Sequence, residues 1–279
     1  MNLQWYPGHM TKAKRMMMED IKLIDLVIEL VDARIPLASR NPDIDEIAGS
    51  KARMILLNKA DLASQEATAE WEEYFKKEGL AVVPLDCRSR LGINKIQGAI
   101  RSACAAKIER DKARGIMNRP IRAMVVGIPN VGKSTFINTI CKRACTKTGD
   151  KPGVTKGKQW IKLDNKTELL DTPGILWPKF ENEDIGRKLA FIGSINDDII
   201  DSRSLACLLI DELDTASPNA IENRYEVAKG DTAFDTLCAI AGARGCLKKG
   251  GEIDDKKAAD IVLDEFRSGK LGRISLERP

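Results

Sequence analysis

Histidine is almost absent from this chain of 279 residues, in which His9 is the single example. This scarcity argues against any site that needs several imidazole ligands, such as a multi-histidine zinc centre. The seven cysteines include no CxxC pair. Because they are odd in number and scattered, we expect reduced thiols rather than a disulfide framework or a zinc site.

Long apolar runs are also missing. No stretch approaches the roughly 20 apolar residues that a membrane-spanning helix needs. The first ten residues contain no hydrophobic core of a secretory signal, and the acidic Glu19 and Asp20 follow soon after. We therefore expect a cytoplasmic protein that has no membrane partner. Its 43% hydrophobic and 31% charged residues are typical of a folded globular protein.

Charge is distributed unevenly, although the formal net charge is only +4. The net charge is +2 over residues 1–118, +8 over residues 119–180 and −6 over residues 181–279. The basic middle is either a solvated surface or a contact site for a phosphate-rich partner such as RNA. The contrast between the basic middle and the acidic end suggests two functional regions.

Strand patterns occupy the first part of the chain. Short runs rich in β-branched residues or leucine predict five strands, at Leu26–Asp32, Arg53–Asn58, Leu80–Leu85, Ile121–Gly127 and Glu168–Asp171. They alternate with helical segments such as Thr68–Lys77 and Ser134–Arg143. This alternation predicts an α/β fold with a mostly parallel sheet that helices cover on both faces.

Beyond Glu181 the strand patterns fade and helical periodicity takes over. The predicted helices are Ile185–Ile195, Ser204–Leu213, Thr232–Ala243 and Asp255–Arg267. Asp231 and Asp254 are expected to cap the N-termini of the last two. We therefore expect an α/β domain over residues 1–180 and a small all-α domain over residues 181–279.

Residues 127–134 read GIPNVGKS and match the phosphate-binding pattern GxxxxGK[ST]. The pattern follows a predicted strand and opens a helix at Lys133, which is the context that a P-loop requires. Its glycines allow backbone N–H groups to face phosphate oxygens at the positive end of the helix dipole. Lys133 is expected to bind the β- and γ-phosphates, and the Ser134 hydroxyl to bind Mg²⁺. The predicted nucleotide-binding residues of this region are Asn130, Val131, Gly132, Lys133, Ser134 and Thr135.

A second phosphate-side motif, Asp171-Thr172-Pro173-Gly174, ends the last predicted strand. Asp171 suits a direct or water-mediated contact with Mg²⁺, and the Gly174 N–H suits the γ-phosphate. The loop between the two motifs contains Thr155. This threonine either closes onto Mg²⁺ when the γ-phosphate is bound or is an ordinary loop residue.

The base is indicated by residues 58–61, NKAD, which follow a predicted strand. The Asp61 carboxylate can accept hydrogen bonds from N1 and from the exocyclic amine of guanine, whereas adenine offers no matching donors. Asn58 either bonds the base or ties its loop to the P-loop, and the stem of Lys59 can cover the ring. The motif therefore favours GTP over ATP. A third loop, Asp86-Cys87-Arg88, is expected beside the base and to act mainly through backbone N–H groups.

The order of these motifs is unusual. In ordinary Ras-like GTPases the P-loop comes first, whereas here NKAD precedes it and DTPG follows it. Circular permutation of the chain preserves the same site. With WYPGHM at residues 5–10, VDARIP at residues 31–36 and the tail GGEID…AADIVLDEFRSGKLGRISLE, the order resembles the circularly permuted GTPases, and among them the ribosome biogenesis GTPase A (RbgA/YlqF) family.

The resemblance implies a circularly permuted Ras-like P-loop GTPase domain followed by the small helical domain, with GTP and GDP as ligands and Mg²⁺ as cofactor. It further implies an assembly factor for the large ribosomal subunit that is slow alone, is stimulated by the ribosome and contacts rRNA through its tail. We expect a monomer off the ribosome. Two alternatives stay open: a nucleotide-gated RNA-binding module with negligible hydrolysis, and a GTPase that acts on another RNA.

Ile175 stands directly after the DTPG glycine, where many Ras-like GTPases have a glutamine that orients the attacking water. The resemblance points to His9 as the group that takes this role, in a loop predicted from the neighbouring Pro7 and Gly8; the alternative is a structural histidine. Asn130 resembles the asparagine through which some GTPases bind K⁺, or it is a polar loop residue.

Three smaller predictions concern charged residues. Asp32 and Arg34 could form an ion pair that braces the nearby loop. The basic stretch Lys107–Arg122 and the loop Lys142–Lys158 place positive charge near the nucleotide. In the acidic tail, Lys248 and Lys249 form a basic turn and are candidate RNA contacts, with Lys270 and Arg273 further along.

Overall fold

The computed structural model describes residues 8–117, 119–142, 159–177, 182–196 and 200–279, and leaves the side chains of residues 8–10 undescribed. The strands are β1 (Leu26–Asp32), β2 (Ala52–Asn58), β3 (Ala81–Pro84), β4 (Ile121–Gly127), β5 (Gln159–Lys162) and β6 (Thr167–Asp171). The helices of the sheet region are α1 (Gly8–Asp20), α2 (Asp43–Ala48), α3 (Gln65–Lys77), α4 (Ile93–Ala103), α5 (Ala105–Ala113) and α6 (Lys133–Cys141). The later helices are α7 (Glu183–Phe191), α8 (Ser202–Ala216), α9 (Ala220–Tyr225), α10 (Ala233–Ala243) and α11 (Asp255–Ser268).

The six strands form one sheet in the order β3-β2-β1-β4-β6-β5. Only the edge pair β5–β6 is antiparallel among these strands, and the other pairs are parallel. All seven residues of β1 are buried, because a parallel strand in the middle of a sheet is covered on both faces. The predicted α/β class with a mostly parallel sheet is confirmed.

Strand prediction succeeded where burial is continuous and failed where it is not. β1 and β4 have the predicted bounds, β2 and β6 each begin one residue earlier, and β3 is shorter at both ends. β5 was not predicted. Only Ile161 of its four residues is buried, so this edge strand carries no apolar run that the sequence could reveal.

Helix termini follow local capping. α3 begins earlier than predicted because the Ser64 side chain accepts a hydrogen bond from the Ala67 N–H. The prediction of Asp231 as an N-cap was wrong, since Thr232 caps α10 in a reciprocal capping box with Asp235. Asp254 caps α11 as predicted.

Two further predictions need correction. A loop was expected around His9, but α1 already begins at Gly8, so His9 is helical. Helix α7 ends at Phe191 rather than at Ile195, and the chain turns at Gly193, whose φ of +72° favours glycine. This turn brings the following residues back toward the sheet.

The later helices pack on one another and on the sheet region. Buried side chains of α7, α8, α10 and α11 belong to the same hydrophobic core as those of β1, β4 and β6. A second core, which includes Val31, Leu57, Trp71 and Phe75, lies between the sheet and α3. In the described part of the chain, no helix is both long enough and apolar enough to cross a membrane.

The carboxyl ends of the parallel strands gather at one edge of the sheet. Asp32 ends β1, Asn58 ends β2, Gly127 ends β4 and Asp171 ends β6. Ligands of open α/β sheets bind at this edge, where the loops that follow the strands meet. All three predicted motifs begin there.

Candidate nucleotide-binding site

The P-loop runs from the end of β4 to the start of α6, and glycine is required at both of its ends. Gly127 has φ +150°, and a Cβ there would lie 2.6 Å from the carbonyl oxygen of Leu30. Gly132 has φ +100°, and its Cβ would lie 2.4 Å from Nδ2 of Asn58. The loop therefore lies in direct backbone contact with β1 and with the residue that ends β2.

Lys133 lies at the centre of this loop. Its Nζ donates hydrogen bonds to the carbonyl oxygens of Gly127, at 2.9 Å, and Ile128, at 2.8 Å. Burial lowers the pKa of Lys133 to about 8, against the attraction of Asp171. Among the described residues, neutral carbonyls and a nearby carboxylate surround this cation, so it is well placed to bind an anionic ligand.

Asp171 faces the same space. In the described part of the chain, its two buried carboxylate oxygens have no partner in hydrogen-bond geometry. Burial raises the pKa of Asp171 to about 6, and the opposing effects of Lys133 and of the nearby Thr172 N–H are smaller. Orphaned buried carboxylate oxygens fit a site for a hard cation.

The two phosphate-side motifs are in contact. A Cβ on Gly174 would lie 2.7 Å from Nζ of Lys133 and 2.9 Å from the backbone nitrogen of Pro129. The Thr172 hydroxyl donates a 2.7 Å hydrogen bond to the carbonyl of Val125 in β4. Ile175 is 2% exposed and belongs to the hydrophobic core, so its side chain presents no polar group to the site.

The base-side motif is tied to the P-loop. Nδ2 of Asn58 donates a 2.7 Å hydrogen bond to the carbonyl of Val131, and its Oδ1 accepts one from Sγ of Cys87 at 3.3 Å. Of the two roles considered for Asn58, the structure contains the tie to the P-loop. This hydrogen bond fixes the position of the base-side motif relative to the P-loop.

An ion cluster underlies the base-side motif. Arg34 donates to both carboxylate oxygens of Asp32, at 2.9 and 2.8 Å, and Nζ of Lys59 lies 3.1 Å from Oδ2 of Asp32. The predicted Asp32–Arg34 ion pair is confirmed. Burial alone would raise the pKa of Asp32, but Arg34 and Lys59 hold it well below its usual range.

Asp61 differs from Asp32 in its surroundings. Partial burial raises the pKa of Asp61, and repulsion from Asp86 adds to the effect. A carboxylate in this state gains from donors that a ligand supplies. Guanine offers two such donors side by side, whereas adenine offers none in that position.

The third loop packs against the other two. The Asp86 carboxylate accepts hydrogen bonds from the N–H groups of Arg88, at 2.8 Å, and Ser89, at 3.2 Å, so these donors are engaged within the loop. The carbonyl of Cys87 accepts a 3.2 Å hydrogen bond from the Thr139 hydroxyl on α6. Burial raises the pKa of the Cys87 thiol to about 12, which makes it inert as a nucleophile.

The later helices reach the phosphate end of the site through the turn after α7. Nδ2 of Asn130 donates a 2.7 Å hydrogen bond to the carbonyl of Gly193. The Ser194 hydroxyl, which is fully buried, donates to the carbonyl of Pro129 at 2.9 Å. Arg267 of α11 holds this turn by donating to the carbonyls of Ala190 and Phe191 at the end of α7.

The residues after α11 reach the base end. Nε and Nη2 of Arg273 donate to the carbonyls of Ala63 and Ala60, both at 2.9 Å. The sequence had suggested Arg273 only as a basic residue available to RNA. Neither this contact nor that of Ser194 has a local sequence pattern, because each joins segments far apart in the chain.

The remaining predicted residues lie as follows. Ser134 and Thr135 are in the first turn of α6, and Val131 is fully buried. His9 is in the first turn of α1, but its side chain is outside the described residues, as is the whole of Thr155. Lys248 and Lys249 are exposed at a turn that the bridge between Leu247 and Ile253 closes.

These features define a class of protein. A P-loop on the fourth strand, DTPG on a neighbouring strand and NKAD on an earlier strand converge at one sheet edge, with Asn58 joining base and phosphate loops. The fold and site are those of a circularly permuted Ras-like P-loop GTPase.

Known proteins narrow this class to a family. Residues 122–236 match a family model described as "50S ribosome-binding GTPase". The chain is 46% identical over its whole length to ribosome biogenesis GTPase A of Bacillus cereus, covering 95% of that protein. It is 34% identical to the Thermotoga maritima protein of the same name, with 99% of the chain and 95% of that protein covered. The chain belongs to the ribosome biogenesis GTPase A family, and it is a GTPase.

Solved structures agree with this assignment. The crystal structure of GNP-bound YlqF from T. maritima is 31% identical, with a TM-score of 0.68 over 96% of this chain and 98% of that chain. A GDP-bound YlqF structure has the same TM-score at 29% identity, with 95% of this chain and 99% of that chain covered.

Proposed function

We propose that this GTPase uses its nucleotide cycle to assist assembly of the large ribosomal subunit. The observation that carries the proposal is the convergence of Lys133, Asp171 and Gly174 at the P-loop, which Asn58 joins to the base-side motif NKAD. Full-length relatives that are named for ribosome biogenesis supply the biological setting.

Each end of the nucleotide has its own binding groups in this proposal. Backbone N–H groups of residues 130–135 and the Gly174 N–H face the phosphates. Lys133 exchanges its two carbonyl partners for the β- and γ-phosphate oxygens. Asp61 accepts from N1 and from the exocyclic amine of guanine, and the Lys59 stem covers the ring. Arg88 and its loop border the base.

Mg²⁺ fits the phosphate end, because Asp171 has buried carboxylate oxygens that lack a partner in the described structure. The Ser134 hydroxyl and Asp171 would hold the ion, joined by Thr155, which lies outside the described residues. A bound Mg²⁺ neutralises phosphate charge. The role of the protein is to keep Asp171 ionised and oriented, which the neighbouring Lys133 favours.

Hydrolysis needs a group that orients water, and the buried Ile175 does not supply one. We assign this role to His9 at the start of α1. This helix is anchored beside α2 by an ion pair between Lys14 and Asp43 at 2.8 Å. Asn130, whose Nδ2 donates to the carbonyl of Gly193, would contribute its side-chain oxygen to a K⁺ ion beside the phosphates.

The later helices form the ribosome-contacting part of the proposal. We divide the chain into a GTPase domain of residues 1–180 and a helical domain of residues 181–279. The exposed Lys248 and Lys249 would contact rRNA phosphates. We further propose a cytoplasmic protein that is monomeric when it is not bound to the ribosome.

The experiment measures GTP hydrolysis with and without purified large ribosomal subunits, in K⁺ and in Na⁺ buffers. We expect stimulation by the subunit and faster turnover in K⁺. The His9→Ala variant should keep its GTP affinity, and its stimulated rate should fall at least about 100-fold, the lower end of the range for one general acid–base group. Unchanged stimulated turnover in this variant would remove the assignment of His9.

The burial of Ile175 also favours a second candidate, a nucleotide-gated binding module with negligible hydrolysis. Co-sedimentation with large subunits in a GTP analogue and in GDP, run beside the hydrolysis assay, separates the two. Nucleotide-dependent binding without stimulated turnover supports the module. Absence of binding in both states contradicts the ribosomal setting altogether.

A further inference from the structure

The chain after α11 returns to the base end of the site. We call residues 272–277 the C-terminal strap and residues 58–64 the base loop. The guanidinium of Arg273 lies across this loop and donates to the carbonyl oxygens of Ala60 and Ala63, both at 2.9 Å. These two carbonyls flank Leu62 and stand on either side of the segment that begins with Asp61.

The backbone of the strap follows the same loop. The N–H of Ile274 donates to the carbonyl of Leu62 at 3.0 Å, and the N–H of Ser64 donates to Oγ of Ser275 at 3.1 Å. The residue between α11 and the strap is also close to the loop, since a Cβ on Gly269 would lie 2.6 Å from Cδ2 of Leu62. Polar contacts therefore bind four residues of the base loop to the strap.

The far end of the strap is fixed to other elements. The Leu276 N–H donates to the carbonyl of Arg34 at 2.9 Å, and the Glu277 carboxylate accepts from the Leu37 N–H at 2.8 Å. Nε1 of Trp71, a buried residue of α3, donates to the carbonyl of Glu277 at 3.2 Å. These anchors do not belong to the base loop, so the strap can act as a fixed support for it.

The base loop needs such a support at Asp61. Asn58 and Lys59 are held from inside by the P-loop and by Asp32. Lys59 then takes the left-handed conformation, with φ +57°, and the chain leaves the sheet. On the inner side, the Ala60 N–H donates to the carbonyl of Leu85 at 3.0 Å. The outer carbonyls on both sides of Asp61 and Leu62 are bound by Arg273.

We propose that the C-terminal strap, through Arg273, positions Asp61 for guanine and thereby sets the base preference of the enzyme. The proposal rests on the guanine-binding role of Asp61 proposed above. A carboxylate must meet two donors at once to distinguish guanine, and misplacement by a fraction of an ångström weakens both hydrogen bonds. Arg273 is a positioning residue, since it acts through the loop and not on the base.

The test compares the dissociation constants of GDP and inosine diphosphate, which lacks the exocyclic amine. In Arg273→Ala we expect GDP to bind about tenfold more weakly and inosine diphosphate about threefold more weakly. The preference for guanine therefore falls about threefold. An equal loss for both nucleotides would indicate general loosening and would overturn the proposal, as would no loss for either.

Arg278 provides the matched control. It is an arginine of the same tail, but it pairs at 2.7 Å with Glu70 on α3 and not with the base loop. Arg278→Ala should leave both affinities and their ratio unchanged. Two milder variants guard against misfolding: Arg273→Lys should restore part of the preference, and Ser275→Ala should reduce it less than Arg273→Ala does.

A further variant separates this proposal from the one on which it rests. Asp61→Asn replaces two acceptors by an amide, which matches xanthine better than guanine. If Asp61→Asn does not shift preference from GDP to xanthosine diphosphate, the base role of Asp61 fails. If it does, and Arg273→Ala keeps the wild-type ratio of GDP to inosine diphosphate affinity, the strap proposal alone fails.

Discussion

The base end and the phosphate end of the site differ in how their charges are satisfied. At the base end, Asp32 is fully buried and is paired with both Arg34 and Lys59. At the phosphate end, Lys133 is held by neutral carbonyls, and Asp171 has no hydrogen-bond partner in the described structure. The buried ion cluster at the base end is therefore paired without a ligand, whereas among the described residues the buried carboxylate of Asp171 at the phosphate end lacks a hydrogen-bond partner.

Segments that follow the later helices contact both ends, again in different ways. The strap binds the base loop through Arg273, Ile274 and Ser275. The turn after α7 contacts the P-loop through Gly193 and Ser194. The strap therefore supports the base end structurally. At the P-loop, the turn after α7 is placed where it can respond to bound phosphates.

Removing Arg34 from the ion cluster at the base end should cause the largest change. Arg34→Ala leaves the Asp32 carboxylate buried with Lys59 as its remaining cation, and it removes the 3.4 Å contact of Arg34 with the Phe266 carbonyl. We expect the free energy of unfolding to fall by about 3–5 kcal/mol. Urea denaturation measures it.

The control for this variant is Arg203→Ala, which removes a half-exposed arginine paired with Asp201 on the surface. That change should leave the free energy of unfolding nearly unchanged, because solvent screens exposed ion pairs. Similar losses in the two variants would show that the buried ion cluster does not stabilise the base end more than a surface pair does.

Removing the charge of Asp171 at the phosphate end should change the free energy of unfolding in the opposite direction. The pKa of Asp171 rises from 3.8 to about 6 on folding, so stability that is present below pH 3.8 is lost as the pH rises to about 6. Above that range the ionised carboxylate is a penalty. Asp171→Asn should therefore stabilise the nucleotide-free protein by about 3 kcal/mol near neutral pH, and it should abolish hydrolysis.

Thermal unfolding at several pH values tests this sign. The gain in Asp171→Asn should shrink as the pH falls from about 7.5 to about 5, and saturating Mg²⁺ and GDP should cancel it. The control variant Asp231→Asn, at an exposed position, should show neither the pH-dependent gain nor its loss on ligand binding. A destabilised Asp171→Asn protein at neutral pH would contradict the view that this end holds unsatisfied charge.

The smallest effect is expected at the contact between the turn after α7 and the P-loop. Ser194→Ala removes a buried hydroxyl that donates to the carbonyl of Pro129. The P-loop loses one support, so GDP and inosine diphosphate should each bind about threefold more weakly, with their ratio unchanged. Isothermal titration measures both affinities.

Ser217→Ala, at the end of α8, provides the serine control and should leave both affinities unchanged. Compared with Arg273→Ala, the Ser194→Ala variant separates the two ends, because only a change at the base end should alter the preference for guanine. A changed ratio in Ser194→Ala would mean that the two ends are not independent.

Sequence alone predicted the parts of the fold in which burial is continuous. The predicted bounds of β1 and β4 match because these runs are mostly apolar and, apart from the half-buried Arg122, buried throughout. Trp160 and its neighbours in β5 are mostly exposed, so no hydrophobic pattern marked that strand. Helix ends were predicted less well because capping depends on one side chain, as at Thr232.

For the candidate site, the sequence identified residues whose neighbours in the chain form a motif. Lys133, Asp171 and Asn58 were predicted in this way. Arg273 and Ser194 were not, since their partners Ala60 and Pro129 lie far from them in the sequence. Backbone carbonyls accept from any suitable donor, so such contacts leave no pattern of residue types.

Arg34 has a consequence for how the molecule opens. Its guanidinium joins Asp32 at the end of β1 to the Phe266 carbonyl on α11, and its own carbonyl accepts from Leu276. If α11 separated from the sheet, Arg34 would lose its contact with the Phe266 carbonyl while its ion-pair partner Asp32 stayed buried. The cost makes β1 and α11 one cooperative unit, in which amide hydrogens exchange with solvent together.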